Sequence, residues 1–273
     1  AIGDRAFSYC SRLTGVTIPD GVTSIGAEAF NSCTGLISVT IPGSVATIGE
    51  WAFLGCSSLP VENNLRYADT YLVEAVDKTL STYSIKEGTK WIGSSAFYYC
   101  SSLKSITIPN SVMSVGIYAF YKCSSLPVEN NLRYADTYLV EAVDKILSTC
   151  SIKEGTKWVG NNAFDGCGKL TSVTIPNSVT EVGGGIFYGC SHLESIVLSE
   201  NITSLPSCDS DGRLRGFFEG CKSLTSITIP ESVISIGAWA FEGCYSFTSV
   251  NITDCASWCN IDFGAFASNP LSY

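Results

Sequence analysis

Short apolar runs alternate with single polar residues at a regular interval along most of the chain. Two segments show the repeated unit most clearly: 170–190, LTSVTIPNSVTEVGGGIFYGC, and 224–244, LTSITIPESVISIGAWAFEGC. The alternating leucine, valine and isoleucine in the first half of each unit predict a short β-strand with one buried face. The proline that follows has no N–H to donate, so we expect the strand to end there.

The second half of each unit is another apolar stretch, which leads back toward the next strand and closes with Ala-Phe-x-x-Cys. This closing segment is too short for a long helix, and we expect one helical or 3₁₀ turn there. A glycine precedes it, and we expect that glycine to occupy a bend with positive φ. The glycines concerned are Gly26, Gly49, Gly116, Gly183 and Gly237.

The cysteines set the period of the repeat. The chain has thirteen of them, and five pairs of consecutive cysteines, beginning with Cys10 and Cys33, are 23 residues apart. Ten phenylalanines stand in register from Phe7 to Phe266, and two coils lack this marker, which gives about twelve coils. A fixed period of this length is typical of a solenoid, in which stacked coils together bury the apolar side that none can bury alone. The predicted fold is therefore a repeat solenoid, mostly β, with short helical or 3₁₀ turns.

The repeated unit resembles the BspA-like, or Treponema pallidum-type, leucine-rich repeat, whose consensus is LTSVTIPxSVTSIGxxAFxGCSS. The resemblance covers nearly the whole chain, because the period, the proline, the glycine, Ala-Phe and the cysteine coincide. It implies a right-handed leucine-rich-repeat arc with a parallel sheet on one face. It also implies secreted or cell-surface proteins of host-associated microbes, several of which act as adhesins for host matrix proteins.

We expect residues 1–273 to form a single leucine-rich-repeat domain. Both ends of the sequence cut through a repeat unit, which indicates a fragment of a longer chain.

Two long segments depart from the repeat in the same way. Residues 56–100 and 123–167 are near copies, 67 positions apart, and each opens with a variant coil. In the first copy, the run Leu65–Val76 predicts two short strands joined near Asp69, a hairpin. Two interpretations stay open: drift after a recent duplication, or a duplicated binding element used bivalently.

An insertion of eight residues interrupts the repeat near 206–216, within PSCDSDGRLRGF. Its Asp-Ser-Asp-Gly resembles the start of a calcium loop, but the later ligands of such a loop are missing, which favours a surface loop. We expect Cys208 to be exposed there. Loops on repeats often carry binding function, and four charged residues are candidates for ligand contact: Asp209, Asp211, Arg213 and Arg215.

The last unit, 247–273, is atypical. Cys255 and Cys259 are four residues apart, a spacing that places both on one face of a helix. Such a lone pair is a weak metal signal, and we expect Cys255 to fill a core position instead.

Charge limits the classes of partner. Sixteen Lys and Arg against twenty-five Asp and Glu give a net charge of −9, with no basic cluster. This balance argues against nucleic acid and anionic membranes as partners. No stretch approaches the ~20 apolar residues that a membrane-spanning helix needs. We expect a monomer that does not insert into a membrane.

The inventory of reactive side chains is poor for catalysis. Nine cysteines follow phenylalanine at F-x-x-C, and we expect them to form an inward ladder of unreactive thiols in the core. The single histidine, His192, falls at a turn, which leaves no base for a nucleophilic triad. The sequence contains no cofactor or metal motif. We therefore expect a non-enzymatic protein without a cofactor or a metal.

The remaining candidate site is the exposed side of the predicted strands. Its side chains are mostly serine and threonine, which can make many weak hydrogen bonds. Three functions compete: an adhesin-like module for a protein ligand such as a host matrix protein, a glycan-binding module, and a structural spacer. The glycan reading depends on exposed aromatic residues at Trp51, Tyr118 and Trp239. Besides the charged residues of the insertion, the candidate ligand-binding residues are Lys104, Thr171, Thr174, Glu194, Thr225 and Thr228.

Overall fold

The structure, a computed structural model, describes residues 1–210, 213–264 and 269–270. The described residues form a β-solenoid of about eleven turns of about 23 residues, which confirms the predicted repeat solenoid. It divides into two compact units, residues 1–126 (unit 1) and 127–273 (unit 2). The expectation of one domain over 1–273 stays a prediction.

In unit 1, each regular coil contributes a three-residue strand and a two-residue return strand. The three-residue strands pair in parallel, β1 with β3 and β8 with β10, and the return strands do the same, β2 with β4 and β9 with β11. The strands are β1 Gly15–Thr17, β2 Ser24–Ile25, β3 Ser38–Thr40, β4 Thr47–Ile48, β5 Val61–Glu62, β6 Leu65–Ala68, β7 Tyr71–Ala75, β8 Thr82–Ser84, β9 Trp91–Ile92, β10 Ser105–Thr107 and β11 Ser114–Val115.

Unit 2 repeats this arrangement with longer ladders. The coil strands β15, β17 and β19 form one parallel sheet, β23 pairs with β25, and the return strands β20, β24 and β26 form another sheet. The elements are β12 Val128–Glu129, β13 Leu132–Ala135, β14 Tyr138–Ala142, β15 Thr149–Ser151, β16 Trp158–Val159, β17 Ser172–Thr174, β18 Glu181–Val182, β19 Ser195–Val197, β20 Ser204–Leu205, β21 Cys208–Ser210, β22 Arg213–Arg215, β23 Ser226–Ile229, β24 Ser235–Ile236, β25 Ser249–Ile252, α1 Cys255–Cys259 and β26 Asp262–Phe263.

The predicted hairpin is confirmed in both copies of the variant coil. Strands β6 and β7 pair antiparallel, as do β13 and β14, while β7 and β14 also pair in parallel with the return strands β9 and β16. In unit 1 the hairpin turns at Asp69, which has a φ of 58°. Its Oδ2 accepts the N–H of Ile41 at 2.8 Å. In a regular coil a strand carbonyl accepts this bond, as the oxygen of Thr40 does for Ile18 at 3.0 Å.

The Ala-Phe-x-x-Cys segments are not helical, so the expectation of helical or 3₁₀ turns is wrong. Each regular segment holds two successive tight turns, and in the first coil Arg5 and Tyr9 have φ of 56° and 62° at the third turn position. A left-handed residue at every fourth position interrupts a right-handed helix. Alternate N–H groups instead point along the stack, and that of Phe7 donates to the oxygen of Ala29 at 2.7 Å. The neighbouring coil supplies the acceptors that a helix would find within itself.

The glycine that precedes each Ala-Phe segment is not explained by the positive φ that the sequence predicted. None of the five has positive φ. A Cβ added to Gly49 would lie 2.4 Å from the backbone nitrogen of Ala27, and one added to Gly116 would lie 2.4 Å from that of Ser94. Glycine is required there because the backbone of the preceding coil passes too close for a side chain.

Stacked phenylalanines form the centre of the core. In unit 1, Phe7, Phe30 and Phe53 stack with ring centroids 5.2 Å apart at each step. In unit 2, Phe164 and Phe187 open a column with centroids 5.4 Å apart, which Phe218 and Phe241 continue. Phe266, the last marker in the sequence, lies outside the described residues.

The thiol ladder is confirmed. Seven of the nine F-x-x-C cysteines are buried, Cys244 is half-buried, Cys10 in the first coil is exposed, and all are free thiols. Cys33 donates to the carbonyl oxygen of Phe7 at 3.0 Å, and five other cysteines of the ladder make the same kind of bond. Burial raises the pKa of Cys56 to about 12, so the thiol is protonated and unreactive at neutral pH.

The last unit contains the one helix among the described residues. The carboxylate of Asp254 caps α1 by accepting the N–H of Ser257 at 2.6 Å. Cys255 and Cys259 are on this helix, as their spacing predicted, but both are exposed. The expectation that Cys255 fills a core position is wrong, because α1 has no buried residue.

Candidate binding surfaces

The outward-facing residues of β15, β17, β19, β23 and β25 form one surface of unit 2, which we call the strand face. The parallel register aligns Thr149 with Ser172 and Ser195 in one row. It aligns Ser151 with Thr174 and Val197 in a second row. Neighbouring strands lie about 4.8 Å apart, so each row presents side chains at that interval. The intervening residues, Cys150, Val173 and Ile196, pack into the core.

Two of the predicted site residues, Thr174 and Thr228, lie on the strand face, and three others directly precede its strands. Thr171, Glu194 and Thr225 each follow a buried leucine at the start of successive coils, and the N–H of Glu194 donates to the oxygen of Thr171 at 2.9 Å. Thr174 and Thr228 are exposed on β17 and β23. Strands β19 and β23 lie side by side.

Lys104 does not join this group. It is exposed in unit 1, where its N–H donates to the oxygen of Ser81 at 2.8 Å. The sequence analysis also missed one residue of the strand face: Val197 stands in a threonine position and is 59 % exposed, an apolar side chain within a row of hydroxyls. The sequence did contain a signal for this residue, because the equivalent position of the neighbouring coil is a threonine, Thr174.

The insertion is an antiparallel hairpin, β21 with β22, that folds back against the Ala-Phe turns. The guanidinium groups of Arg213 and Arg215 lie 5.5 and 4.7 Å from the ring centroid of Tyr188. Arg215 pairs with Asp165 at 2.5 Å, and Arg213 pairs with Glu219 at 2.7 Å. Both arginines therefore hold the hairpin in place. Of the two aspartates predicted beside them, Asp209 lies on β21 and Asp211 lies outside the described residues.

The expectation of an exposed Cys208 is wrong. Cys208 is only 7 % exposed, and its Sγ lies 3.5 Å from Oδ1 of Asn162. The hairpin pairs Cys208 with Arg215, whose ion pair with Asp165 draws the strand onto the coil below. An inserted loop that folds back in this way buries its first residues.

Four tyrosines in two successive coils of unit 1 form a second surface, which we call the tyrosine cluster: Tyr98, Tyr99, Tyr118 and Tyr121. Tyr98 and Tyr121 stack, with ring centroids 5.3 Å apart and planes 18° apart. The ring centroid of Tyr99 lies 4.7 Å from that of Tyr98 and 6.2 Å from that of Tyr121. Tyr118 contacts Tyr121 edge-on, with ring centroids 5.7 Å apart. The ammonium of Lys122 lies 5.3 Å from the Tyr121 centroid. Of these residues, the sequence analysis singled out Tyr118 alone.

The tryptophans of the glycan hypothesis are less accessible than that hypothesis needs. Trp51 and Trp239 are both half-buried. The indole N–H of Trp51 donates to Oγ of Ser95 at 3.4 Å. Both residues have positive φ, 53° and 60°, in a column where unit 2 has Asn162 and Gly185.

The two variant coils repeat their side-chain contacts as well as their backbone. Nε of Arg66 bonds Glu74 at 3.0 Å, and Arg133 bonds Glu141 at 3.1 Å in the second copy. The ammonium groups of Lys86 and Lys153 lie over equivalent tyrosine rings, at 4.2 and 4.4 Å from the centroids. The outer strands β5 and β12 expose a valine each, at 48 and 49 %. The bivalent use of these hairpins stays a prediction.

Metal-binding and membrane-spanning features were sought in the described part of the chain. Within residues 1–210, 213–264 and 269–270, no three His, Cys, Asp or Glu side chains come together as a metal site. No helix in the same residues is long and apolar enough to cross a membrane. Nδ1 of His192, an exposed residue, lies 3.2 Å from Oγ of Ser191.

A family model of the BspA type leucine-rich repeat region, in six copies, matches residues 1–127, 76–141, 129–208 and 215–273. The chain belongs to this family. The search of curated proteins found no match. The family assignment agrees with the resemblance that the repeat unit indicated, and it rests on matches over nearly the whole chain.

Several solved structures are similar to this leucine-rich-repeat chain. A leucine rich cell surface protein from Faecalibacterium prausnitzii is 28 % identical, with 95 % of this chain and 85 % of that one covered and a TM-score of 0.41. The leucine-rich-repeat protein of T. pallidum is 23 % identical, with 93 and 86 % covered and a TM-score of 0.35. The pneumococcal vaccine antigen PcpA is 17 % identical, with 98 and 71 % covered and a TM-score of 0.38.

Proposed function

We propose that this chain is the non-enzymatic, adhesin-like binding module of a secreted or cell-surface protein, and that its strand face holds a protein ligand such as a host matrix protein. The observation that carries the proposal is the set of aligned hydroxyl groups on β15, β17 and β19, most of them exposed, with Val197 exposed among them. Membership of the BspA-type repeat family is consistent with a binding role.

The chemistry of the face suits an extended partner. Threonine and serine hydroxyls donate and accept, so a row of them can follow the backbone groups of a strand or loop laid across the coils. Val197 provides an apolar contact at the centre, where buried side chains contribute most to binding. Among the five predicted residues on the face or directly before its strands, Glu194 alone is charged, so the approach of a partner requires little charge desolvation.

The thiols are compatible with exposure of the protein outside the cell. The thiolate is the form that oxidants and disulfides attack. Burial raises the pKa of Cys56 and of Cys244 to about 12, which keeps both protonated. The buried cysteines of the ladder can therefore persist as free thiols in an oxidising medium.

Binding to immobilised fibronectin, fibrinogen, collagen and laminin tests the proposal. The double variant Thr174→Glu/Thr228→Glu places two charges on the strand face, and we expect it to weaken saturable binding to one of these proteins by at least about tenfold. Val197→Asp should act in the same direction. Thr203→Glu is the matched control, because Thr203 is also exposed but precedes the return strand β20.

Binding that survives both strand-face variants would overturn the assignment of the site. No saturable binding to any of the four proteins up to about 100 µM would overturn the adhesin-like role and favour a structural spacer. Circular dichroism of each variant establishes that the loss is one of binding and not of folding.

A further inference from the structure

None of the four rings of the tyrosine cluster belongs to the buried core of the solenoid. Phe97 and Phe120 fill the core beneath them and stack with centroids 5.1 Å apart. In the second copy of this coil, Asp165 and Gly166 occupy the positions of Tyr98 and Tyr99, and the local fold is the same. Tyr118 has a φ of 55°, a conformation that disfavours a bulky residue. Tyr99 and Tyr118 thus occupy left-handed turn positions at which unit 2 has Gly166 and Gly185, so the turns do not require an aromatic residue there.

The cluster is accessible to a ligand. Tyr99 is 55 % exposed and Tyr121 is 41 % exposed. Because Tyr99 stands at 69° to Tyr121, the two rings form a floor and a wall, not a flat sheet. Each ring presents an apolar face and a phenol hydroxyl at its edge, so the surface combines stacking area with hydrogen-bonding groups.

Exposed serines follow the cluster along the chain. The chain continues from Tyr99 and from Lys122 into exposed serine pairs after each cysteine: Ser101, Ser102, Ser124 and Ser125. An apolar protein side chain laid over this surface would offer no hydrogen bond to the phenol hydroxyls of Tyr99 and Tyr121, which is unfavourable. A sugar offers a C–H face to the rings and a rim of hydroxyls that can donate and accept. The Lys122 ammonium adds three further donors.

We propose that the tyrosine cluster is a carbohydrate-binding site. A pyranose unit rests its C–H face on the ring of Tyr99, and its hydroxyl groups bond to the phenol oxygen of Tyr121 and to Lys122. This site lies in unit 1 and the strand face lies in unit 2, so a variant of one leaves the residues of the other unchanged.

A microarray of soluble oligosaccharides probed with the full chain tests the proposal, followed by calorimetry with the oligosaccharides that bind. The array should include mucin-type glycans, N-acetyllactosamine, sialyllactose and β-glucan hexasaccharides. The double variant Tyr99→Ala/Tyr121→Ala removes the two exposed rings, and we expect affinity to fall by about tenfold or more. Tyr245→Ala is the matched control, because Tyr245 is 82 % exposed in unit 2, and we expect a change of less than about twofold.

The pair Tyr99→Phe/Tyr121→Phe keeps the rings and removes the hydroxyls, so it should retain more affinity than the alanine pair. It also keeps the test valid if the alanine pair folds poorly. The absence of binding to every oligosaccharide at about 1 mM would overturn the proposal. Sugar binding that the alanine pair leaves unchanged would do the same. If the alanine pair abolished binding to a matrix protein while no sugar bound, the cluster would be a protein contact and the carbohydrate assignment would be wrong.

Discussion

Substitution of Gly116 by alanine is the sharpest test of how closely the coils stack. The added Cβ would lie 2.4 Å from the nitrogen and 2.8 Å from the Cα of Ser94, both backbone atoms that cannot turn aside. Ordinary contact begins near 3.4 Å. The gap between the two coils must therefore open by about 1 Å.

The cost follows from the hydrogen bonds that cross this gap. Gly116 donates to the oxygen of Ile92 at 2.8 Å, and Phe97 donates to the oxygen of Ala119 at 2.8 Å. An opening of about 1 Å takes such bonds beyond hydrogen-bonding distance. The loss of two of them costs about 2 kcal/mol. Overpacking adds about 1–3 kcal/mol, so we expect Gly116→Ala to lower the free energy of unfolding by about 3–5 kcal/mol.

Two other glycines of unit 1 are matched controls that separate crowding from backbone conformation. A Cβ on Gly43 meets nothing within 4 Å and φ there is not positive, so Gly43→Ala should be neutral or stabilise by up to about 1 kcal/mol. A Cβ on Gly88 also meets nothing, but its φ of +83° should make Gly88→Ala cost about 1–2 kcal/mol.

Urea unfolding followed by circular dichroism measures the three variants. Hydrogen exchange of peptides that cover β9 and β11 locates the effect of Gly116→Ala. We expect Gly116→Ala to be the most destabilising, then Gly88→Ala, then Gly43→Ala. If Gly116→Ala stayed within about 1 kcal/mol of Gly43→Ala, the argument from close approach would be refuted.

Three further predictions concern a ladder cap, the insertion and alkaline pH. Asp69→Ala removes the acceptor for the N–H of Ile41, and we expect it to lower the free energy of unfolding, measured in urea, by about 1–2 kcal/mol. Asp69→Asn keeps an acceptor oxygen and should cost less than half as much. Equal losses in the two variants would contradict a stabilising role of this hydrogen bond. Arg215→Ala removes the ion pair with Asp165, and we expect it to loosen the β21–β22 hairpin. A water-soluble maleimide should then label Cys208 in the native protein, which mass spectrometry detects. If Cys208 stayed as unreactive as before, the ion pair would not be needed to bury it. Burial raises the pKa of Cys56 from 9.0 to about 12, so the folded protein holds the thiol proton more tightly than the unfolded chain does. The protonated Cys56 thiol therefore contributes fully to stability below pH 9. This contribution is lost as the pH rises toward 12, by up to about 1.4 kcal/mol per pH unit. Urea unfolding in reductant at pH 8 and at about pH 10.5 measures this loss, which Cys56→Ala should reduce, and equal stability at the two values would contradict it.

Several features of the fold could be predicted because they depend on residues close together in sequence. The alternation that forms β17 and the proline after it define one coil, and repetition at 23 residues places every coil in the same register. The hairpin of Leu65–Val76 follows from two short apolar runs around Asp69. The thiol ladder follows from the constant spacing of phenylalanine and cysteine. In each case a local pattern and its repetition are sufficient.

The candidate sites could be predicted only in part. The strand-face residues Thr174 and Thr228 were found because side chains alternate along a strand. The tyrosine cluster was missed because its rings come from two coils, 23 positions apart in the case of Tyr98 and Tyr121, and the sequence does not state how such rings meet. The burial of Cys208 was not predicted because a charged insertion is typical of an exposed loop. Only the structure shows that Asp165 pairs with Arg215 and holds the insertion against the coil.

The sequence by itself determined the period, the family, the alternation of buried and exposed strand positions and the thiol ladder. Each of these is set by side-chain chemistry repeated along one chain. Only the tertiary structure decided why glycine is required at Gly116, why the Ala-Phe turns are not helical, and which aromatic rings are gathered into one surface. Those features depend on the distance and direction of the neighbouring coil, which supplies the crowding atoms, the hydrogen-bond acceptors and the adjacent rings.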